Sequence, residues 1–317
     1  MVSRASSRRS FLRYGTSGLA AIGVASPVAR AFAQSPVEQL RILVGFAPGA
    51  APDVMARAVA ALLSGSYPRG AIVENRTGGN GVIAVNALKA APADGSTVLM
   101  LPASGASVTP YLYAKPPYDP IADLRPITLA AESAVWLAVG PAVPDSVTNV
   151  RELLDWMRQN PKLANAGSPG VAWQHVAFPG GPPAVTALLG GHIAALALAE
   201  APLRPHVASG KARLMATSGA RRSPAAPTAA TLVEQGFPNM AIMDWFGYFA
   251  PGGASSAVVD TLGSKLRAVI DQPSLAGGLS ETGLIPVSST PAALAARFVA
   301  DKRFWDPVIR ANDIRIE

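Results

Sequence analysis

The amino-acid sequence predicts an α/β protein with mixed, largely parallel sheets, built as two lobes with a ligand cleft between them. Three observations predict it. Short apolar runs alternate with segments of helical periodicity, the pattern of βαβ units. Several of these runs end in loops of small residues, and the carboxyl ends of strands are where open α/β sheets hold ligands. The pattern also has two halves, with a proline-rich stretch at 110–126 before the second begins.

The first 33 of the 317 residues stand apart. "SSRRSFLRYG" places Arg8 and Arg9 ahead of Ser10, Phe11 and Leu12, followed by a small apolar run at 15–29 and an Ala31-x-Ala33 site. A charged n-region, an apolar h-region and a small-residue cleavage site make an export signal of the twin-arginine type. Residues 1–33 are therefore expected to be a signal peptide cleaved after Ala33, and the location is expected to be the periplasm. A membrane anchor fits less well, because the run is short and Gly15, Gly18 and Gly23 dilute it. The chain has no cysteine, so it can carry neither a lipid anchor of that kind nor a disulfide. Residues 1–33 hold five arginines and no acid, and without them the formal charge falls from +7 to +2. With that charge gone and no compact basic cluster elsewhere, nucleic acid is not expected as a partner.

Along the rest of the chain, strands are expected at 40–46, 71–74, 97–101, 127–129, 135–139, 163–166, 175–178, 193–198, 213–217 and 247–250. Helices are expected at 53–63, 81–90, 149–159, 183–189, 229–235, 257–271 and 291–312. "RILVGFAPGAAPDVMARAVAALL" (41–63) runs a strand through a proline-glycine turn into a helix. Such a junction aims free backbone N–H groups, and the positive end of the helix dipole, at the strand's carboxyl end. The occupant could be a phosphate, a carboxylate or nothing. Asp53 opens this helix, where a carboxylate either stabilises the helix or touches ligand. Asn149 with Glu152 fits a capping box, and Asn160-Pro161 stops that helix. Thr290-Pro291 supplies an N-cap followed by proline at the first helical position. The lobes are read as 34–135 with 251–317, and 136–250, the chain crossing between them near Val135 and Phe249.

No catalytic machinery emerges. The sequence has no HExxH, no GxSxG and no cysteine thiolate, and His175, His192 and His206 are too widely spaced to form a metal motif. Gly79-x-Gly81-x-x-Ala84 imitates a dinucleotide fingerprint, but four residues separate it from the strand and no acid ends the next one. An enzyme and a cofactor are not expected. Small-residue loops at 47–52, 102–106, 167–170 and 179–183 remain, suited to bringing bare amides close to a ligand.

With those loops placed, the chain resembles the periplasmic solute-binding proteins of the tripartite tricarboxylate transporter family, the Bug receptors. The resemblance rests on the first strand with its Pro-Gly loop and the Asp53-x-x-Ala56-Arg57 helix. It also rests on "IVENRTGGNGVIAVNALKAAPADGSTVLM" (72–100), "LLGGHI", "HVASGKARLMATSGARRSPAAPT" and "DWFGYFAPGG". It implies a periplasmic-binding-protein-like fold closing on a small carboxylate, with membrane transporter subunits or a sensor kinase as partner, and a monomer. Carried over residue by residue, it implies ligand contacts from Phe46, Gly49, Ala50, Ser104, Gly105, Ser168 and Gly170.

The sequence also departs from that family. The first loop lacks the second glycine and the hydroxyl usual before the aspartate, and Ala194 and Leu198 stand where acids are usual, which argues against an amino-acid ligand. "NAGSPG" reaches "HVAF" through only 171–174, so the second lobe is expected to lack one helix there. The alternatives to a receptor are an exported enzyme and a receptor-like chain that has lost its ligand.

Overall fold

A computed structural model describes residues 37–67, 69–161, 181–311 and 314–315. The signal-peptide reading, the site residues Ser168 and Gly170, the strands at 163–166 and 175–178 and the short connection at 171–174 lie outside the described residues.

β1 (Leu40–Val44) is buried except at Arg41, as a strand covered on both faces must be. After a loop, α1 (Ala51–Leu62) turns Met55, Ala56, Val59 and Ala60 inward at helical spacing. β2 (Ala71–Asn75), α2 (Val82–Lys89) and the fully buried β3 (Thr97–Pro102) follow. β1 pairs in parallel with both β2 and β3.

Residues 102–106, expected as a loop, enter a short helix, α3 (Ala103–Ser107). α4 (Pro120–Asp123), capped by Asp119, leads into β4 (Leu124–Val139). The two strands expected at 127–129 and 135–139 are thus one. Register shifts at Pro126/Thr128 and Leu129/Ala131 absorb residues that break the alternation, as β-bulges do. α5 (Val150–Gln159) buries Val150, Leu153 and Met157. Its cap is as expected: Glu152 N–H donates to Asn149 Oδ1 at 2.9 Å, while the Glu152 carboxylate accepts from Thr148.

α6 (Gly181–Leu189) and β5 (Ala195–Ala199) precede α7 (Glu200–Ala208), a helix that the sequence reading missed. Its prolines hid it, yet Pro202 sits in the first turn, where its missing N–H costs nothing. β6 (Arg213–Thr217) falls where expected, but the helix expected at 229–235 is a turn. Thr217 N–H donates to Ala230 O and Leu232 N–H to Thr217 O, so this backbone is spent on the edge of β6 rather than on a helical ladder. β7 (Met243–Pro251), α8 (Ser256–Ile270), α9 (Pro273–Leu279), the two-residue β8 (Ile285–Pro286) and α10 (Pro291–Ala311) complete the chain. Ala293 N–H donates to Thr290 Oγ1 at 3.1 Å, the expected cap of α10.

The fold is mixed α/β, with strand order β2-β1-β3-β7-β4-β5 and β6 and β8 also on β4. Among the described residues, parallel pairing between strands is confined to β2-β1-β3, apart from an isolated parallel bridge of Thr217 with Thr231, and every other strand pair is antiparallel. The expectation of largely parallel sheets is corrected to that extent. The reason is β4: it pairs with β7 from Leu124 to Ala134, then with β5 and β6 from Val135 to Val139, so one long strand belongs to two sheets. β7 returns antiparallel beside it and inserts between β3 and β4.

Each sheet has a core on both faces. Ile42, Val44, Val98 and Met100 meet α1 and α8 on one face of the first sheet, while Leu43, Leu99 and Leu101 meet α2 and α10 on the other. In the second, Val139 and Met215 pack with α5, and Trp136 and Ala138 with α6 and α7. Each such leucine contributes roughly 1.5–3 kcal/mol when fully buried. Among the described residues, no helix is long and apolar enough to cross a membrane.

Candidate functional site

Of the expected first-lobe contacts, Phe46 and Gly105 come together at the carboxyl ends of β1 and β3. Gly45 lies against the turn Gly79–Gly81 so closely that a Cβ on it would stand 2.6 Å from Gly81 Cα. Gly81, at φ +95°, would place a Cβ 3.2 Å from Leu101 Cδ1 and 3.9 Å from Phe46 Cε2. A Cβ on Gly105 would meet the same Leu101 Cδ1 at 2.8 Å. Leu101 is therefore the common neighbour that brings Phe46, Gly81 and Gly105 into one patch. The glycines that imitate a dinucleotide fingerprint serve this close approach of loops.

The first loop is held from behind by Asp53, which is 1% exposed. Its Oδ2 accepts from Gly49 N–H at 2.9 Å and Arg57 Nε at 3.0 Å, and its Oδ1 accepts from Asn75 Nδ2 at 2.8 Å. Asn75 Nδ2 also donates to Phe46 O at 2.9 Å, and Arg57 Nη2 donates to Asn75 Oδ1. Burial pushes the Asp53 carboxyl up, but hydrogen bonds from Arg57, Gly49 and Asn75 together with the Arg57 charge outweigh it and hold the group below its ordinary value. Of the two readings of Asp53, these contacts are the structural one: it shapes the loop.

That network decides which amides are available. Gly49 N–H is taken by Asp53, and Ala50 N–H donates to Ala47 O at 3.1 Å. The two first-loop glycine and alanine contacts therefore cannot come from their own N–H groups in this arrangement. Ala50 is the N-cap of α1 and has no side-chain cap, which leaves the amides of Ala51 and Asp53 as the unsatisfied donors of the first turn. Ser104, half-buried in α3, has no side-chain hydrogen-bond partner among the described residues. Gly105 O accepts from the buried Tyr118 hydroxyl, so it holds the floor. Asn80, at φ +52°, donates to Thr109 Oγ1 at 2.6 Å and ties the glycine turn to the segment after α3.

The sequence reading missed Asn75 and Asn80. For Asn80 a signal was available, since asparagine among glycines favours left-handed backbone; for Asn75 there was none. Two histidines fall among the described residues, His192 after α6 and His206 in α7. Among the described residues, no group of three or more His, Cys, Asp or Glu could hold a metal ion.

A separate cavity of about 820 Å³ lies between Glu200 and Arg204 of α7, residues 220–225 after β6, and residues 281–286 around β8, with Ala134 and Met243 in its wall. None of the five expected contacts among the described residues lines it.

Residues 55–314 match the Tripartite tricarboxylate transporter family receptor, TctC. Protein BugT of Bordetella pertussis is 28% identical over 94% of this chain and 96% of its own. R. palustris Rpa4515 with adipate superimposes with a TM-score of 0.78 at 26% identity, covering 87% of this chain and 97% of that one. Periplasmic binding protein BugD superimposes with a TM-score of 0.76 at 25% identity, covering 89% of this chain and 100% of that one.

Proposed function

Because the chain belongs to the tripartite tricarboxylate transporter receptor family, we propose that it is a periplasmic receptor that binds a small organic carboxylate and presents it to a membrane carrier or a sensor. One observation carries the reading: Phe46, Gly81 and Gly105 gather around Leu101 at the carboxyl ends of the parallel strands β1 and β3, and the loop after β1 leads directly into the uncapped N-terminus of α1. Such a patch offers hydrogen-bond donors and positive potential, which suits holding an anion. The relative solved with adipate supports a carboxylate as the ligand class.

In this reading the second lobe contributes Ser168 and Gly170, so that closing the cleft surrounds the acid from both sides. In the same reading the first lobe is residues 34–135 with 251–317, the second is 136–250, and the chain crosses between them near Val135 and Phe249. The twin-arginine signal delivers the chain, and the absence of acids at Ala194 and Leu198 disfavours an amino-acid ligand.

The test is thermal unfolding of the protein against a panel of mono- and dicarboxylates, each paired with its neutral amide. A ligand at a hundredfold excess over its Kd stabilises the native state by about 2.7 kcal/mol, so an acid of the right shape raises the melting temperature and its amide does not. A broad panel with no acid-specific shift overturns the receptor reading.

A further inference from the structure

We propose that the 820 Å³ cavity is a second ligand site, for a monocarboxylic acid with an apolar body such as an aryl or branched alkyl group. Its size falls within the range of about 300–1,000 Å³ typical of small-molecule sites. It combines an apolar wall with charged side chains. Met243, Pro224, Leu284, Ile285 and Pro286 supply the wall.

The charges identify the ligand's polar end. Three arginines and two glutamates line the cavity, and all but one of them are committed. Glu200, 4% exposed, accepts from Arg204 Nη2 at 2.7 Å and from Ser223 Oγ at 2.8 Å. Arg204 Nη1 reaches Glu281 at 3.0 Å, and Arg222 Nε lies 2.9 Å from Glu234 Oε2. Arg221 is exposed and has no acid partner among the described residues. A carboxylate at Arg221 gains a charge-assisted pair without breaking another. A highly polar dicarboxylate would leave the apolar wall unmatched, so the selectivity differs from that of the first-loop site.

The walls come from both sheets. Glu200 follows β5 and residues 220–225 follow β6, whereas Ile285 belongs to β8 on the first-sheet part of β4. They are fixed together where Gly283, at φ +71°, lies so near Glu200 that a Cβ would stand 2.0 Å from its Cγ. An acid bound here touches both halves of the molecule.

The test is ¹⁹F NMR of 4-fluorobenzoate titrated with the full chain, with 4-fluorobenzamide as the neutral control. Saturable binding of the acid is expected, weakened about tenfold or more by Arg221→Ala and by Ile285→Glu, and unchanged by Arg158→Ala, an exposed arginine of α5 that does not line the cavity. No saturable binding, equal binding of the amide, or loss through Arg158→Ala with none through Arg221→Ala each overturns the proposal. The proposal does not depend on the first-loop reading. If that reading alone is wrong, dicarboxylates fail to stabilise the protein while the Arg221-dependent benzoate signal persists.

Discussion

Replacing Asp53 with alanine removes the one group that ties Gly49, Asn75 and Arg57 together, and its cost follows from those contacts. Bonds from the neutral Gly49 and Asn75 donors contribute about 1 kcal/mol each, and the bond from Arg57 about 1.5–3. The Arg57 side chain is half exposed, so it regains water when its partner goes, and that share must be discounted. A net loss of about 3 kcal/mol remains, which for a chain of this size lowers the melting temperature by roughly 6 °C. The pH dependence tests the cause. The Asp53 carboxyl is held below its ordinary value of 3.8 in the folded state, so it contributes stability above that value, and the contribution disappears as pH falls through the lower folded pKa. Unfolding should be followed by circular dichroism from pH 3 to pH 8 for the parent, Asp53→Ala and Asp53→Asn. The difference between parent and either variant should be full at neutral pH and shrink at the acid end. A variant melting within 1 °C of the parent at pH 7, or a difference constant across the range, would refute the assignment of Asp53 as the loop's ionised anchor.

Two further outcomes are expected. Asp244 has the opposite sign: burial, with the nearby Asp301 charge, pushes its carboxyl up to about 6 despite the Trp245 N–H bond and Arg297. The parent should therefore lose stability as pH rises from about 4 to about 6, and Asp244→Asn should be about 1–3 kcal/mol more stable at pH 8; chemical denaturation showing a less stable variant there would contradict this. Changing Arg8 and Arg9 together to lysine should abolish accumulation in the periplasmic fraction if the twin-arginine route is used, and undiminished export would assign the signal to the general secretory route.

Much of the fold was legible because the signals that set it are local. The caps at Asn149 and Thr290 and the apolar stripe of α1 are each decided by residues within a few positions, and the structure contains all three. The same local logic failed for α7, where prolines masked a helix, and for 229–235, where a distant strand edge captured the backbone. The candidate site divides the same way. Phe46, Gly49, Ala50, Ser104 and Gly105 were named through the family resemblance, which could not say that Asp53 and Ala47 already occupy the Gly49 and Ala50 amides.

By itself the sequence determined the α/β class, the absence of HExxH, GxSxG and cysteine motifs, and the loop that ends β1. Only the tertiary structure decided that β4 serves two sheets, that Asn75 closes on Asp53 across 22 residues, and that Arg204 meets Glu281 across 77. The physical reason is that periodicity and capping are fixed by neighbours in the chain, whereas strand pairing and the satisfaction of buried polar groups depend on which remote segments the packed core brings within 3 Å of one another.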